Sequence, residues 1–208
     1  MNLYLSSFQF GNESDQLSEL LPHGAKIGHI TNATDWQGAD EVRRKVDLER
    51  DMAFLQGLGF KNEHLDLKDY FNREEALDKK IAELDGIWVS GGNTFILRQA
   101  MRLSGFDAIF EKLRQRNDFL YGGYSAGICV LCDSLKYIEK VDDPTQFPYE
   151  RIKDPIYEGL GYFNHGILPH YKSDHFESAA MSEEVQRCID NKWLFKTLRD
   201  GEVIIIKE

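Results

Sequence analysis

Cysteine is scarce in this chain and comes in an odd number. Cys129, Cys132 and Cys188 among 208 residues cannot build a disulfide framework, and an unpaired set of thiols suits a reducing compartment. Cys129-x-x-Cys132 has no second pair to complete a zinc site and falls in an apolar run, so buried free thiols are expected, cysteine behaving there as a small hydrophobe. Positive charge is also short: 25 Lys and Arg against 35 Asp and Glu leave a net charge of −10. That opposes unaided binding to nucleic-acid phosphates, which requires clustered cations, while leaving room for a local basic pocket. No apolar run approaches the ~18 residues of a membrane span. Met1-Asn2-Leu3-Tyr4-Leu5 lacks the basic start and long apolar stretch of a secretory leader. A cytoplasmic protein without membrane or nucleic-acid partners is expected. Internal repeats, low-complexity segments and linker-like stretches are missing as well, so residues 1–208 read as one domain, below the ~250–300 residues at which single cores stop growing.

What is present is an ordinary globular composition, 42% hydrophobic and 12% aromatic, which excludes a disordered chain. Apolar patterning alternates between strand and helix. Strands are expected at Leu3–Phe8, Lys26–Asn32, His64–Leu67, Gly86–Ser90 and Asp118–Tyr121. Helices are expected between Trp36 and Leu58, with Val42, Val46, Leu48, Met52, Phe54 and Leu55 as apolar positions, and at Arg73–Leu84, Thr94–Leu103 and Phe106–Asn117. An apolar segment covers Leu160–Leu168, a further helix runs from about Ser182 to Asn191, and Trp193–Leu198 with Glu202–Ile206 read as a β-hairpin around Asp200-Gly201. Repeated strand–helix units predict an α/β fold, a parallel sheet covered on both faces with right-handed crossovers. Its site should lie at the carboxyl ends of the strands.

Gly123-Tyr124-Ser125-Ala126-Gly127 is the richest local pattern. Gly-x-Ser-x-Gly between a buried strand and an apolar helix start marks a nucleophile elbow, a turn that lifts the serine hydroxyl out of the sheet. A flexible glycine loop would also carry the pattern; the strand before it and Ile128–Cys132 after it favour the nucleophile. Serine needs a base, an orienting acid and donors for the oxyanion. Gly91-Gly92-Asn93-Thr94 follows a strand and opens a helix, where backbone N–H groups can approach a ligand; a tight turn capped by Asn93 or Thr94 fits equally well. Neither the dinucleotide spacing nor a following Gly-Lys-Ser/Thr is present, which argues against a phosphate cradle. His165, His170 and His175 cluster downstream as candidate bases, while His29, inside a strand, suits a core imidazole. Asp142 and Asp143 before Pro144, and Asp200 in the late turn, are candidate acids, each also explicable as a solvated carboxylate.

At these residues the chain resembles the serine peptidases that include peptidase E, the α-aspartyl dipeptidase, with cyanophycinases as more distant relatives. The pieces, in order, are Gly91-Gly92-Asn93-Thr94-Phe95, Gly123-Tyr124-Ser125-Ala126-Gly127, the acidic pair before Pro144, Pro169-His170-Tyr171 and Asp174-His175-Phe176-Glu177. The resemblance implies a flavodoxin-like sheet with helices on both faces, similar to class I glutamine amidotransferases. It implies Ser125 as nucleophile, His175 as base with His170 as the preceding non-catalytic histidine, and Asp143 or Asp142 as the acid, with Asp200 competing. Backbone N–H groups of Gly92 or Gly91 and of Ala126 would form the oxyanion hole. No cofactor and no metal are implied; the partner is a short peptide substrate, with a homodimer admitted. The chain departs from the family in its shorter loop before His175, in Asp174, and in Phe176-Glu177-Ser178-Ala179 where the family has Gly-Glu-Thr-Arg. Hydrolysis of another amide, ester or isopeptide is the alternative within enzymes, and a non-catalytic ligand-binding protein the alternative outside them.

Overall fold

Residues 1–36 and 38–208 are described by the computed structural model. The chain runs through β1 (Asn2–Ser6), α1 (Ser14–Leu17), β2 (Lys26–Ile30), α2 (Glu41–Gly57), β3 (Lys61–His64), α3 (Glu74–Ala82), β4 (Gly86–Val89), α4 (Thr94–Ser104), α5 (Phe106–Leu113), β5 (Leu120–Tyr124), α6 (Ala126–Cys129), β6 (Gly166–Leu168), α7 (Ser178–Asp190), β7 (Phe195–Thr197) and β8 (Val203–Ile206). Six strands form one sheet in the order β3-β2-β4-β5-β1-β8. The first five are parallel and β8 closes the edge antiparallel to β1. This is the expected α/β sheet.

The alternation of side chains along the strands divides the core into two layers. Leu3, Leu5, Ile87, Val89 and Tyr121 pack with Leu77, Leu97, Met101 and Phe110 of α3, α4 and α5. Tyr4, Trp88, Leu120 and Tyr124 point the other way and pack with Leu17 and Leu55 of α1 and α2. Burial on both faces explains why these strands are almost continuously apolar.

Several boundaries differ from expectation. Of the span Trp36–Leu58, Gln37 lies outside the described residues, and α2 begins at Glu41 because the Asp40 carboxylate caps the amides of Val42 and Arg43 at 3.0 and 3.1 Å. Its buried positions are Asp51 and Leu55; Val42 and Val46 are exposed, since the stripe through 48, 51, 55 and 58 turns onto the sheet. The third strand is Lys61–His64, and Leu67–Tyr70 forms a 3-10 turn started by the Asp66 side chain, which accepts from the Lys68 amide at 2.9 Å. The expected C-terminal hairpin does not form. β7 pairs parallel with β6 while β8 joins the main sheet, so Asp200-Gly201 is a crossing between two sheets. Cys129, Cys132 and Cys188 are free and buried, as expected, and burial pushes the Cys132 thiol up to about 12. Among the described residues, no helix is long and apolar enough to cross a membrane.

Candidate active site

Strands β1, β4 and β5 deliver Ser7, Ser90-Gly91-Gly92 and Ser125 to the same edge of the sheet. Ser125 sits at φ 51° and ψ −116°, a conformation rarely tolerated by a residue with a Cβ and stored only where packing enforces it. The enforcement is visible next door. A Cβ on Gly127 would run into the Val89 carbonyl oxygen, so α6 can lie against the end of β4 only with glycine there. The Tyr121 hydroxyl fastens the turn by donating to the Gly127 carbonyl at 2.7 Å. Gly92 has φ 137°, and a Cβ there would come within 2.5 Å of the Ala33 carbonyl oxygen. Thus Gly127 and Gly92 are each required by a tight strand-to-helix turn. Gly91 faces Ser125: a Cβ added to it would lie 3.0 Å from the serine Cβ.

A cavity of about 570 Å³ opens over this point, lined by Gly91, Gly92, Ser125, Asp142, His170, His175 and Glu177, with Phe8 and three arginines of α2, Arg43, Arg44 and Arg50, on other walls. The two histidines are stacked, ring centroids 3.7 Å apart and planes 7° from parallel, and Phe8 meets both edge-on. They are not equivalent. His170 follows β6, is 1% exposed in its side chain and has φ 60°. Its Nδ1 lies 2.7 Å from Asp200 Oδ1, and its Nε2 is buried without a partner among the described residues. Because a carboxylate only accepts, Nδ1 carries the proton and Nε2 the lone pair. Asp200 is itself held: the Ser7 hydroxyl donates to it at 2.8 Å, and its amide donates to Ser173 Oγ at 2.8 Å. The amide of His170 donates to Ser7 Oγ at 2.8 Å. Burial lowers the His170 pKa, aided by the neighbouring His175 and opposed by Asp200.

Among the described residues, no carboxylate stands at hydrogen-bonding distance from His175. Its Nδ1 accepts from the Glu177 amide at 3.2 Å and stands 3.8 Å from Glu177 Oε2. Burial lowers its pKa as well. Glu177 Oε2 is also 3.8 Å from His170 Nε2; burial, with Asp142 and Asp200 nearby, pushes this carboxyl up to about 7.

The acidic pair expected to orient the base is occupied elsewhere. Asp142 Oδ2 accepts from the amide and hydroxyl of Thr94 at 2.9 and 2.6 Å, which ties its loop to the start of α4; burial raises it to about 6. Asp143 is exposed, and its Oδ1 accepts from the amide and hydroxyl of Thr145 at 2.8 and 2.7 Å, the usual turn chemistry of an aspartate before proline. Neither makes a hydrogen bond to an imidazole; the carboxylate that does is Asp200. The structure therefore brings Ser125, Gly91, Gly92, Ala126, His170 and His175 together and differs from the expected pairing of His175 with Asp142 or Asp143. Ser7, Ser173 and the arginines of α2 carry no local sequence signal, because they meet the site only through the fold.

His170, His175 and Glu177 are also the one group of metal-type ligands that stands together among the described residues, with atoms within 4.8 Å of one another. Stacking makes them a poor set. A ligated cation lies in the imidazole plane about 2 Å from the nitrogen, and it cannot lie in both of two parallel planes 3.7 Å apart.

The profile of peptidase family S51 matches residues 10–208. The chain belongs to peptidase family S51. It is 33% identical over 141 residues to an uncharacterized peptidase of Pasteurella multocida, a match covering 68% of this chain and 64% of that protein. It is 36% identical over 118 residues to a Drosophila melanogaster protein provisionally named an alpha-aspartyl dipeptidase, covering 56% of this chain and 43% of the relative. The chain thus spans less than two thirds of the curated relatives it matches. A crystal structure from Listeria monocytogenes EGD-e, provisionally named a peptidase E protein, superimposes with a TM-score of 0.74 at 22% identity, covering 100% of this chain and 98% of that one. At that identity the likeness carries the fold, and it agrees with the mostly parallel sheet flanked by helices.

Proposed function

We propose that this S51 chain is a serine peptidase that cleaves short peptides through an acyl-enzyme on Ser125, with His170 as the base and Asp200 as the acid that holds it. The observation carrying this reading is the Asp200–His170 contact at 2.7 Å, which leaves a buried, unpartnered Nε2 on a residue that lines one cavity with Ser125. Ser125 Oγ attacks the scissile carbonyl carbon as His170 Nε2 takes its proton, and Asp200 stabilises the imidazolium. The carbonyl oxygen, now anionic, turns toward the N–H groups of Gly91 or Gly92 and Ala126. Collapse expels the amine, protonated by His170, and water then releases the acid by the same steps in reverse.

Supporting a peptide substrate are the family membership and the size of the cavity. The arginines on α2 supply positive charge where the sequence lacks the family's Gly-Glu-Thr-Arg run. Arg44 pairs with Asp35 and Arg50 with Asp51 and Asp47. Arg43 is the least committed, 3.8 Å from Asp47 with its side chain 77% exposed. Asp40 and Asp47 line the same wall, so recognition of an acidic side chain, such as that of an aspartyl peptide, would rest on Arg43.

The test is a fluorophosphonate probe together with a dipeptide panel that includes aspartyl and neutral N-terminal residues. Wild-type protein is expected to be labelled at Ser125 and to hydrolyse members of the panel. Ser125→Ala is expected to lose both while melting at the same temperature, retaining only residual catalysis. Turnover by Ser125→Ala near the wild-type rate would reject the serine mechanism. Specific peptide binding without labelling or hydrolysis would favour the non-catalytic alternative.

A further inference from the structure

Behind the elbow, in the layer covered by α2, lies a buried polar network that the proposed chemistry does not touch. Asp51 is fully buried on the inner face of α2. Its Oδ1 receives Arg50 Nε and an Arg50 terminal nitrogen at 2.8 and 2.6 Å. Its Oδ2 receives two hydroxyls, Tyr124 at 2.9 Å and Ser90 at 3.3 Å. Ser90 Oγ in turn lies 2.6 Å from His29 Nε2. Burial holds the His29 pKa at about 3, so the ring is neutral. With the Ser90 proton directed at Asp51, His29 is the Nε2–H tautomer donating to Ser90. A carboxylate buried this deeply contributes little to stability compared with apolar packing, which makes its particular partners informative.

Those partners are the residues immediately before the two functional turns. Tyr124 precedes Ser125, and Ser90 precedes Gly91. The paired register between β4 and β5 runs from Gly86 with Leu120 to Val89 with Gly123. Ser90 and Tyr124 would be the next pair, and there the strands part into their turns. A single oxygen of Asp51 takes a hydroxyl from each and so supplies the next cross-link through side chains. What it fixes is the spacing between the Ser125 turn and the Gly91-Gly92 amides, two segments so close that a Cβ on Gly91 would lie 3.0 Å from the Ser125 Cβ.

We infer that Asp51 is a positioning residue, holding the nucleophile and the oxyanion donors in catalytic register through Tyr124 and Ser90. The inference rests on the serine-peptidase reading. Displacement of reacting groups by about 1 Å costs on the order of 100-fold in rate, so Asp51→Ala is expected to lower kcat by about 10- to 100-fold with KM changed less than about 3-fold. The rate of fluorophosphonate labelling at Ser125 should fall in parallel. Tyr124→Phe, which keeps the ring lining the cavity, and Ser90→Ala should each remove part of this rate. Adding Tyr124→Phe to Asp51→Ala should cost nothing further, because the hydroxyl has then lost its acceptor. If Asp51→Ala does not fold, the double variant Ser90→Ala/Tyr124→Phe leaves the Asp51–Arg50 pair intact and carries the same expectation. A folded Asp51→Ala, or that double variant, with kcat and labelling within twofold of wild type overturns the inference alone. So does a full additional loss from Tyr124→Phe in the Asp51→Ala background. Wild-type protein that neither labels nor hydrolyses overturns the serine-peptidase reading, and the inference with it.

Discussion

The two stacked imidazoles compete for one role, and their surroundings separate them. An imidazole serves as a general base when one nitrogen is held by an acceptor and the other is free toward the nucleophile. His170 has the acceptor in Asp200 and an Nε2 left without a partner, whereas the Nδ1 of His175 accepts from a backbone amide. We expect His170→Ala to reduce kcat/KM by at least about 10²–10⁴-fold and His175→Ala by much less; paired kinetics giving the opposite order would return the base to His175. The pH profile adds a second check. The base must be neutral, and burial holds the His170 pKa below 6.5, so the acid limb of kcat/KM should fall below pH 6.5. Asp200 acts against that depression, so Asp200→Asn should lower the rate and move the limb to still lower pH. Asp142→Asn and Asp143→Asn should leave the limb in place. A limb unmoved in Asp200→Asn and displaced in Asp142→Asn would reassign the acid.

Among the elements, α4 does most to shape the site. Its Asn93 cap serves two segments at once: Oδ1 accepts from the amides of Phe95 and Ile96 at 2.9 and 3.1 Å, and Nδ2 donates to the Asp143 carbonyl at 2.9 Å. Asp142 grips the same helix start through Thr94. The acidic pair thus anchors a cavity wall to the helix that follows Gly91-Gly92. Asn93→Ala should lose about 1 kcal/mol, up to about 2, from the cap. Asn93→Ser keeps an oxygen able to cap but cannot reach across with a donor amide. Chemical denaturation should therefore place Asn93→Ser between wild type and Asn93→Ala, the cap kept and the bond to the Asp143 carbonyl lost. Equal stability of Asn93→Ala and wild type would show that the cap is energetically idle.

At the level of the whole molecule, the acidic surplus gathers partly where it is least comfortable. Glu177, 23% exposed in its side chain, has its pKa raised from 4.5 to about 7 by burial and then by Asp142 and Asp200. A carboxyl with a raised folded pKa binds its proton more tightly in the native state than in the unfolded chain. Its contribution to stability is thus fully present below about pH 4.5 and is lost as pH rises to about 7. Two and a half units correspond to roughly 3 kcal/mol at most. Glu177→Gln removes this term, so the variant should gain stability relative to wild type across that window and level off above it. Unfolding curves between pH 4.5 and 8 that run parallel for the two proteins would refute the assignment.

Across the whole chain, the features legible in the sequence were those set by neighbouring residues. Strand and helix alternation follows from apolar periodicity, the elbow at Gly123–Gly127 from glycines on either side of a serine, and the turn at Gly91–Thr94 from the chemistry of caps. Each is a short-range constraint, and each appears in the structure close to its expected place. Tertiary structure alone decided the partners. His170 and Asp200 are thirty residues apart and meet because β7 pairs with β6 while β8 crosses to β1, leaving Asp200 in the crossing where a hairpin turn was expected. Asp142 and Asp143 resemble triad acids in sequence, but Thr94 and Thr145 take their oxygens. Asp51 looks like one more charge on a solvated helix until α2 turns it onto the sheet beneath the elbow. Periodicity places a side chain on a face of its own element; which polar atom it meets there depends on strand order and long-range packing, and those emerge only when the chain has closed.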